Sequence, residues 1–222
     1  MKSPVNFSPS QTVRLASGSL WLRLASLLAL ASFTVFRGGV GFWLPLIDFL
    51  GSAAVLALWI PLMGRLLRGD VVLTTDPRRG TLTRLYPWLI AYEGTLWLLF
   101  TLLPVVSGTF PEVNPVAAAV QVTISGVGVA VSFLIYLLSL RLMANPADAT
   151  GRAQLGDLLN LAAALAAAMV VLNVIPLLGL PAPTLGDKLA YGLANATEAA
   201  SWLLLRWALL TGNPENTAKE VG

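Results

Sequence analysis

The sequence contains neither cysteine nor histidine, and only 11% of its 222 residues are charged. Without cysteine, disulfide bonds, thiolate metal sites and cysteine nucleophiles are excluded. Without histidine, the usual haem ligand, the commonest zinc ligand and the usual general base of a serine triad are missing too. These absences disfavour most intramembrane redox and hydrolytic enzymes, and we expect no cofactor. No block of basic residues interleaved with aromatics indicates a nucleic-acid partner.

What the chain has in abundance is apolar residues, at 56% with a mean hydropathy of +0.76, which predicts an integral membrane protein. A hydrocarbon layer about 30 Å thick needs roughly 20 residues at 1.5 Å each, and a spanning segment must be helical to satisfy its backbone. We therefore predict an all-α fold with six transmembrane helices. The apolar stretches are 18–36, 44–64, 85–106, 115–142, 157–180 and 187–210.

The basic residues predict the orientation of these spans. With a cytoplasmic N-terminus, Arg37 and Lys188 fall on the outer side, and the other twelve lie on or near the inner side. Those twelve are Lys2, Arg14, Arg23, Arg65, Arg68, Arg78, Arg79, Arg84, Arg141, Arg152, Arg206 and Lys219. The positive-inside rule then places both termini in the cytoplasm of a prokaryotic cell, with the chain in its inner (plasma) membrane.

The N-terminal region has two further interpretations. Residues 1–17 form a cytoplasmic segment in our prediction, but Arg14 and Arg23 would also suit an amphipathic helix over 11–23 lying on the membrane. A cleaved signal peptide over 1–31 competes, because "ALA" follows an apolar run. If that span were removed, the Arg-rich second loop and the other inner loops would no longer agree in the side of the membrane that they indicate. We therefore favour a first span that stays in the mature protein.

A weak internal repeat relates the two halves of the chain. "DFLGSAAVLA" from Asp48 matches "DLLNLAAALA" from Asp157, and "IPLMG" at 60–64 matches "IPLLG" at 175–179. The third and sixth spans each carry Glu followed four residues later by Trp. We predict two three-helix repeats, 18–106 and 115–210, followed by a cytoplasmic tail over 211–222. Because each repeat has an odd number of spans, the second lies inverted relative to the first.

The matched glutamates, Glu93 and Glu198, are the main site candidates. Both fall about 12–17 Å deep at 1.5 Å per residue, so they should meet near the bilayer midplane. Each belongs to a helical stripe: Tyr86, Glu93, Trp97 and Thr101 on the third span, and Tyr191, Asn195, Glu198 and Trp202 on the sixth. A functional carboxylate is one interpretation, since charged groups at depth are rarely without use. A hydrogen bond that only joins helices is the other. The two Trp rings are binding candidates through cation–π contact with an organic cation, with simple packing as the alternative.

Asp48 and Asp157 lie near the starts of their spans, where a carboxylate caps a helix, with a gating role as the alternative.

The favoured function is a transporter or channel that binds a proton, a metal cation or a cationic small molecule at the two glutamates; the sequence does not distinguish among these ligands. The alternatives are a non-catalytic membrane subunit of a larger complex, for substrate capture or as a scaffold, and a cofactor-free enzyme on a lipid or isoprenoid substrate. Expected partners are membrane lipid, the small cation or substrate, and either further copies of the chain or partner subunits.

Overall fold

The computed structural model describes residues 9–38, 42–69, 73–107, 115–174 and 184–211. These residues form six helices and no strand, which confirms the all-α prediction. The helices are α1 (Pro9–Arg37), α2 (Trp43–Leu67), α3 (Pro77–Trp97), α4 (Pro115–Ala144), α5 (Ala149–Val174) and α6 (Leu185–Thr211). Beyond Trp97, α3 continues through a π-helical turn, Leu98–Leu102, and a last α-helical turn, Leu103–Val106.

Four of the six helices are long and apolar enough to cross a membrane, which is compatible with a membrane-embedded, multi-pass protein. The four apolar segments are Ser10–Arg37, Trp43–Leu67, Ala119–Ala144 and Ala149–Leu172. The other two helices, α3 and α6, carry the two glutamates together with several arginines, and these residues lower their mean hydropathy. The two helices that bear the candidate site are therefore not among the four that pass on length and hydropathy.

Three helices begin well before the predicted apolar stretches, because an apolar pattern marks the hydrocarbon and not the end of a helix. Asp76 Oδ1 caps α3 by accepting a hydrogen bond from the Arg78 N–H at 2.9 Å. Asp148 Oδ1 caps α5 by accepting from the Gly151 N–H at 2.8 Å. That hydrogen bond, with the Arg141 guanidinium nearby, holds the pKa of Asp148 below its usual value.

The prediction that Asp48 and Asp157 cap their helices is wrong. Helix α2 begins at Trp43 and α5 at Ala149, and neither has an acidic residue in its first turn. Asp48 and Asp157 lie in the second and third turns, beyond the reach of the free N–H groups at the helix starts. Helix α2 starts with the apolar residues 43–47 before Asp48, and α5 starts with the polar segment 149–156 before Asp157.

The N-terminal interpretation also changes. Residues 9–17 belong to the same continuous helix as the first predicted span. Ala16 is fully buried and Leu20 is 1% exposed, so this part of α1 packs into the bundle. An amphipathic helix lying apart on the membrane surface does not fit that burial.

The six helices form a closed ring. Each helix packs against its neighbours in the chain, and α6 packs against α1. Large side chains that are fully buried concentrate where α2 leads into α3 and α4 leads into α5, here named the packed end. They are Leu20, Ile60, Leu62, Met63, Leu66, Leu73, Leu82, Leu142, Met143, Leu155, Leu159 and Leu205. Among the described residues, the opposite half of the ring holds no comparable core.

The contact between α3 and α4 depends on a glycine. Trp97 Nε1 donates to the Val122 carbonyl at 3.3 Å and to Ser125 Oγ at 3.1 Å, which fixes the indole against α4. A Cβ at Gly126 would lie 2.7 Å from Cζ2 of that ring. The close approach therefore requires the absence of a side chain at position 126.

We expect Gly126→Ala to lower the stability of the bundle by about 1–3 kcal/mol, because the fixed indole has to move. Gly128→Ala is the matched control, since a Cβ there meets nothing within 4 Å. It should be neutral or stabilising by up to about 1 kcal/mol through helix propensity. Thermal unfolding in detergent micelles measures both. Equal melting temperatures for the two variants would contradict the described α3–α4 contact.

Candidate functional site

Two cavities lie in the middle of the ring. The first has a volume of about 90 Å³ and is bordered mainly by α1, α2, α3 and α4, with Trp202 from α6. The second has a volume of about 220 Å³ and lies between α3, α4, α5 and α6. Polar side chains lining the first are Arg23, Ser52, Tyr86, Glu93, Ser132 and Tyr136, and those lining the second are Glu93, Ser125, Ser132, Asn195 and Glu198. Glu93 borders both cavities, and both glutamates border the second.

Glu198 is held by an ion pair that joins the first helix to the last. Arg23 Nη2 lies 2.5 Å from Glu198 Oε1, and the two residues stand at the midpoints of α1 and α6. The same oxygen accepts a hydrogen bond from Trp202 Nε1 at 3.1 Å. The Arg23 guanidinium carbon lies 4.2 Å from the centroid of the Trp202 ring, a cation–π contact. Glu198 therefore has both a cation and a hydrogen-bond donor.

The ring of Trp202 is fixed in turn by a second indole. Trp59 of α2 meets it edge to face, with centroids 6.0 Å apart and planes at 78°. Trp202 is 6% exposed and Trp59 is 5% exposed. Through this aromatic contact, α2 packs against the same Trp202 that holds the ion pair between α1 and α6.

Arg23 corrects the charge assignment made from the sequence, which counted it among the residues at the inner membrane surface. Its side chain is 15% exposed and lies at the depth of Glu198. Its Nε is buried and has no hydrogen-bond partner among the described residues. An arginine inside an apolar stretch was the signal for this role, because such residues usually pair with another charged group.

Glu93 has a weaker set of contacts. Its Oε1 accepts from Ser52 Oγ at 3.3 Å, and within the described ranges no basic side chain forms an ion pair with it. One helical turn before Ser52 stands Asp48, whose Oδ1 is buried and lacks a hydrogen-bond partner among the described residues. A buried carboxylate without a cation is costly to keep ionised. Glu93 therefore has no ion-pair partner among the described residues and is available to bind a proton or a cation.

The charges that border the two cavities do not cancel. With both carboxylates ionised, Arg23 contributes one positive charge and Glu93 and Glu198 contribute two negative charges. One proton or one monovalent cation would neutralise the remainder. Asp48, one turn before Ser52, adds a further negative charge near Glu93 when it is ionised.

The remaining predicted residues are divided. Asn195 lines the second cavity with both glutamates. Trp97 borders neither central cavity and packs against Gly126 of α4. Tyr191 lies toward the end opposite the packed end, with its ring 6.3 Å from that of Phe49, and borders a separate cavity of about 170 Å³. Asp157 is exposed and borders neither central cavity.

Sequence reasoning placed Tyr86 on the stripe of Glu93 but missed Ser52, Ser132 and Tyr136, which complete the site. Tyr86 donates from its hydroxyl to the Ser132 carbonyl at 2.7 Å and stacks on Tyr136 at 3.7 Å between centroids. Ser52 lies inside the repeated segment that begins at Asp48, one turn further along the same face. The signal for Ser52 was its helical spacing from Asp48, on a helix that carries neither glutamate.

Comparison with protein-family models, with curated proteins and with solved structures finds no match for this chain. In the described part of the chain, no three carboxylate side chains converge as a protein metal centre would need. Function has to be inferred from the two cavities and the charges that line them.

We expect Arg23→Gln and Glu198→Gln each to destabilise the protein by about 2 kcal/mol or more, because each leaves a charge unpaired inside the bundle. The double variant should lose less stability than the sum of the two, since it leaves neither charge. A double-mutant cycle from thermal unfolding in detergent measures this coupling. Additive losses would show that the two side chains are not paired.

Proposed function

We propose that the protein is a multi-pass membrane carrier or channel that binds a proton or a small cation at Glu93. The single observation that carries this proposal is the position of Glu93, which borders both central cavities and has no ion-pair partner among the described residues. An intramembrane carboxylate facing a cavity is typical of ion and proton pathways.

The size of the cavities favours a proton or a small ion over a cationic organic molecule. Sites for organic ligands usually measure about 300–1,000 Å³. The first cavity, at about 90 Å³, has room for about three water molecules at roughly 30 Å³ each. The second, at about 220 Å³, is also below that range. A hydrated proton pathway or a partly dehydrated small cation fits this space.

The assignment of roles differs between the two glutamates. Glu198 is held by Arg23 and Trp202, so it positions the guanidinium and keeps the local charge fixed. Among the described residues, the hydrogen-bond partner of Glu93 is the hydroxyl of Ser52 at 3.3 Å. A serine hydroxyl can stabilise either the ionised or the protonated carboxyl because it both donates and accepts. We therefore assign the exchangeable proton or cation to Glu93.

The packing supports access to the site from one side. The second cavity and the packed end lie on opposite sides of the level of the Arg23–Glu198 pair. A carrier works by exposing its site to one side of the membrane at a time. The described arrangement corresponds to a state that is closed at the packed end.

The order of the helices is also consistent with the proposed inverted repeat. The helices follow one another around the ring in the order of the chain, so each contact in one half has a counterpart three helices further on. The counterparts of α1–α2, α2–α3 and α3–α4 are α4–α5, α5–α6 and α6–α1. With the orientation proposed from the charge count, both termini are cytoplasmic, and the packed end faces the cytoplasm of a cell whose inner membrane holds the protein.

The location of the polar groups favours a carrier over the alternative of a non-catalytic subunit. A subunit that binds another membrane protein through polar contacts would present them on its outer surface. Here Arg23, Ser52, Glu93 and Glu198 line the interior. An enzyme acting on lipids would need a larger cavity and a group positioned to attack the substrate.

Flux measurements on the full chain test this function. In proteoliposomes with a pH-sensitive dye inside, a potassium gradient with valinomycin supplies the voltage that drives protons. We expect a flux above that of protein-free liposomes, reduced at least about tenfold in Glu93→Gln, because the group that accepts the charge is lost. Vesicles loaded with a sodium- or potassium-sensitive dye and given a gradient of that ion without valinomycin test a small cation in place of the proton.

Asp157→Asn is the matched control, because it removes a carboxylate that is exposed and borders neither cavity. Its flux should equal that of the wild type. Proton and cation fluxes that survive unchanged in Glu93→Gln would rule out the proposed site. Fluxes equal to those of protein-free liposomes for the wild type would rule out the proposed function.

A further inference from the structure

A separate cavity at the packed end is lined by three arginines and is named here the basic cavity. Its volume is about 280 Å³, larger than either central cavity. It lies between the early part of α1, the last turns of α2 and the start of α3. Its lining residues are Ser17, Trp21, Ile60, Pro61, Gly64, Arg65, Arg68 and Arg78. None of them borders a central cavity.

The three arginines differ in how they are held. Arg65 Nη1 pairs with Asp76 Oδ2 at 2.7 Å, which ties the end of α2 to the cap of α3. Arg68 and Arg78 are exposed, and among the described residues neither forms an ion pair. A Cβ at Gly64 would lie 3.7 Å from Arg68 Nη1, so the Arg68 guanidinium reaches back over α2 toward the cavity. Two positive charges at this cavity therefore have no anionic partner among the described residues.

Apart from Ser17, the rest of the lining is apolar. Trp21 is 49% exposed, and Ile60 and Pro61 form the wall beside it. The apolar stretches of α1 and α2 end close to this level, at 18 and 64, and tryptophan is enriched at that depth in membranes. An apolar wall below two free guanidinium groups is complementary to a phosphate ester on an acyl-chain body.

We propose that the basic cavity binds a phosphate group, with the headgroup of an anionic phospholipid as its source. Arg68 and Arg78 pair with the phosphate, and Trp21 packs against the glycerol and the first part of an acyl chain. A free phosphate ion shares the charge chemistry but would leave the apolar wall without a partner. The site is independent of Glu93, so its failure and that of the proposed function are distinguishable.

The test uses the full chain, purified in detergent and mixed with equal amounts of phosphatidylglycerol and phosphatidylcholine, with bound lipid counted by native mass spectrometry. We expect preferential retention of phosphatidylglycerol. Arg68→Gln with Arg78→Gln should weaken that retention about 30-fold, and either change alone about fivefold, because each arginine near anionic lipid contributes about that factor. If the double variant does not fold, the lipid retention of the two single variants tests the proposal instead.

Arg14→Gln with Arg84→Gln is the matched control, since it removes two exposed positive charges outside the cavity. It should retain phosphatidylglycerol as the wild type does. A second arm adds inorganic phosphate without lipid and measures the melting temperature. A rise that disappears in the Arg68 and Arg78 variant would assign the cavity to free phosphate and overturn the lipid source. Equal lipid loss in both double variants, or no preference for the anionic lipid, would overturn the site.

Discussion

The ion pair between Arg23 and Glu198 is the interaction on which the rest of the arrangement depends. It joins the midpoints of the first and last helices, and so closes the ring of six where two distant parts of the chain meet. Two charges removed from water are stable only with good geometry and further partners. Here Trp202 supplies both a hydrogen bond and a ring face, and Trp59 fixes that ring. The pair also uses the only cation that borders a central cavity among the described residues.

The consequence is a chemical asymmetry between two residues that the repeat treats as equivalent. Glu198 has its charge compensated, whereas Glu93 has a serine hydroxyl and two cavities. The π-helical turn that begins at Leu98, just over one turn after Glu93, adds a local irregularity on the same helix, a feature often found at functional sites. A fixed ion pair beside a carboxylate with no ion-pair partner among the described residues leaves the groups that line the cavities with a net negative charge. That property underlies the proposed proton or cation binding.

Much of the fold followed from the sequence because the bilayer imposes few solutions. Apolar length predicted six helices, and the period of 3.6 residues correctly grouped Asn195, Glu198 and Trp202 on one face. Other features depend on contacts that local patterns do not contain. Arg23 was assigned to the membrane surface because basic residues usually flank spans, and its partner lies 175 residues away. Trp97 matched Trp202 in the repeat but packs on Gly126, since the rotation of α3 depends on α4. Asp157 failed as a cap because α5 begins in the polar segment before the apolar stretch, and Asp48 failed because it already lay in the second turn of α2.

The central claim is that Glu93, and not Glu198, carries the exchangeable proton or cation. Infrared spectroscopy of the reconstituted protein over a pH titration tests it most directly, because a protonated carboxylic acid has a C=O stretch separate from those of carboxylates and amides. In an Asp48→Asn background, which removes the other buried carboxylate near the site, our account predicts a titrating carboxylic-acid band that is lost in Glu93→Gln and persists in Glu198→Gln. A band that persists in Glu93→Gln and is lost in Glu198→Gln would contradict it.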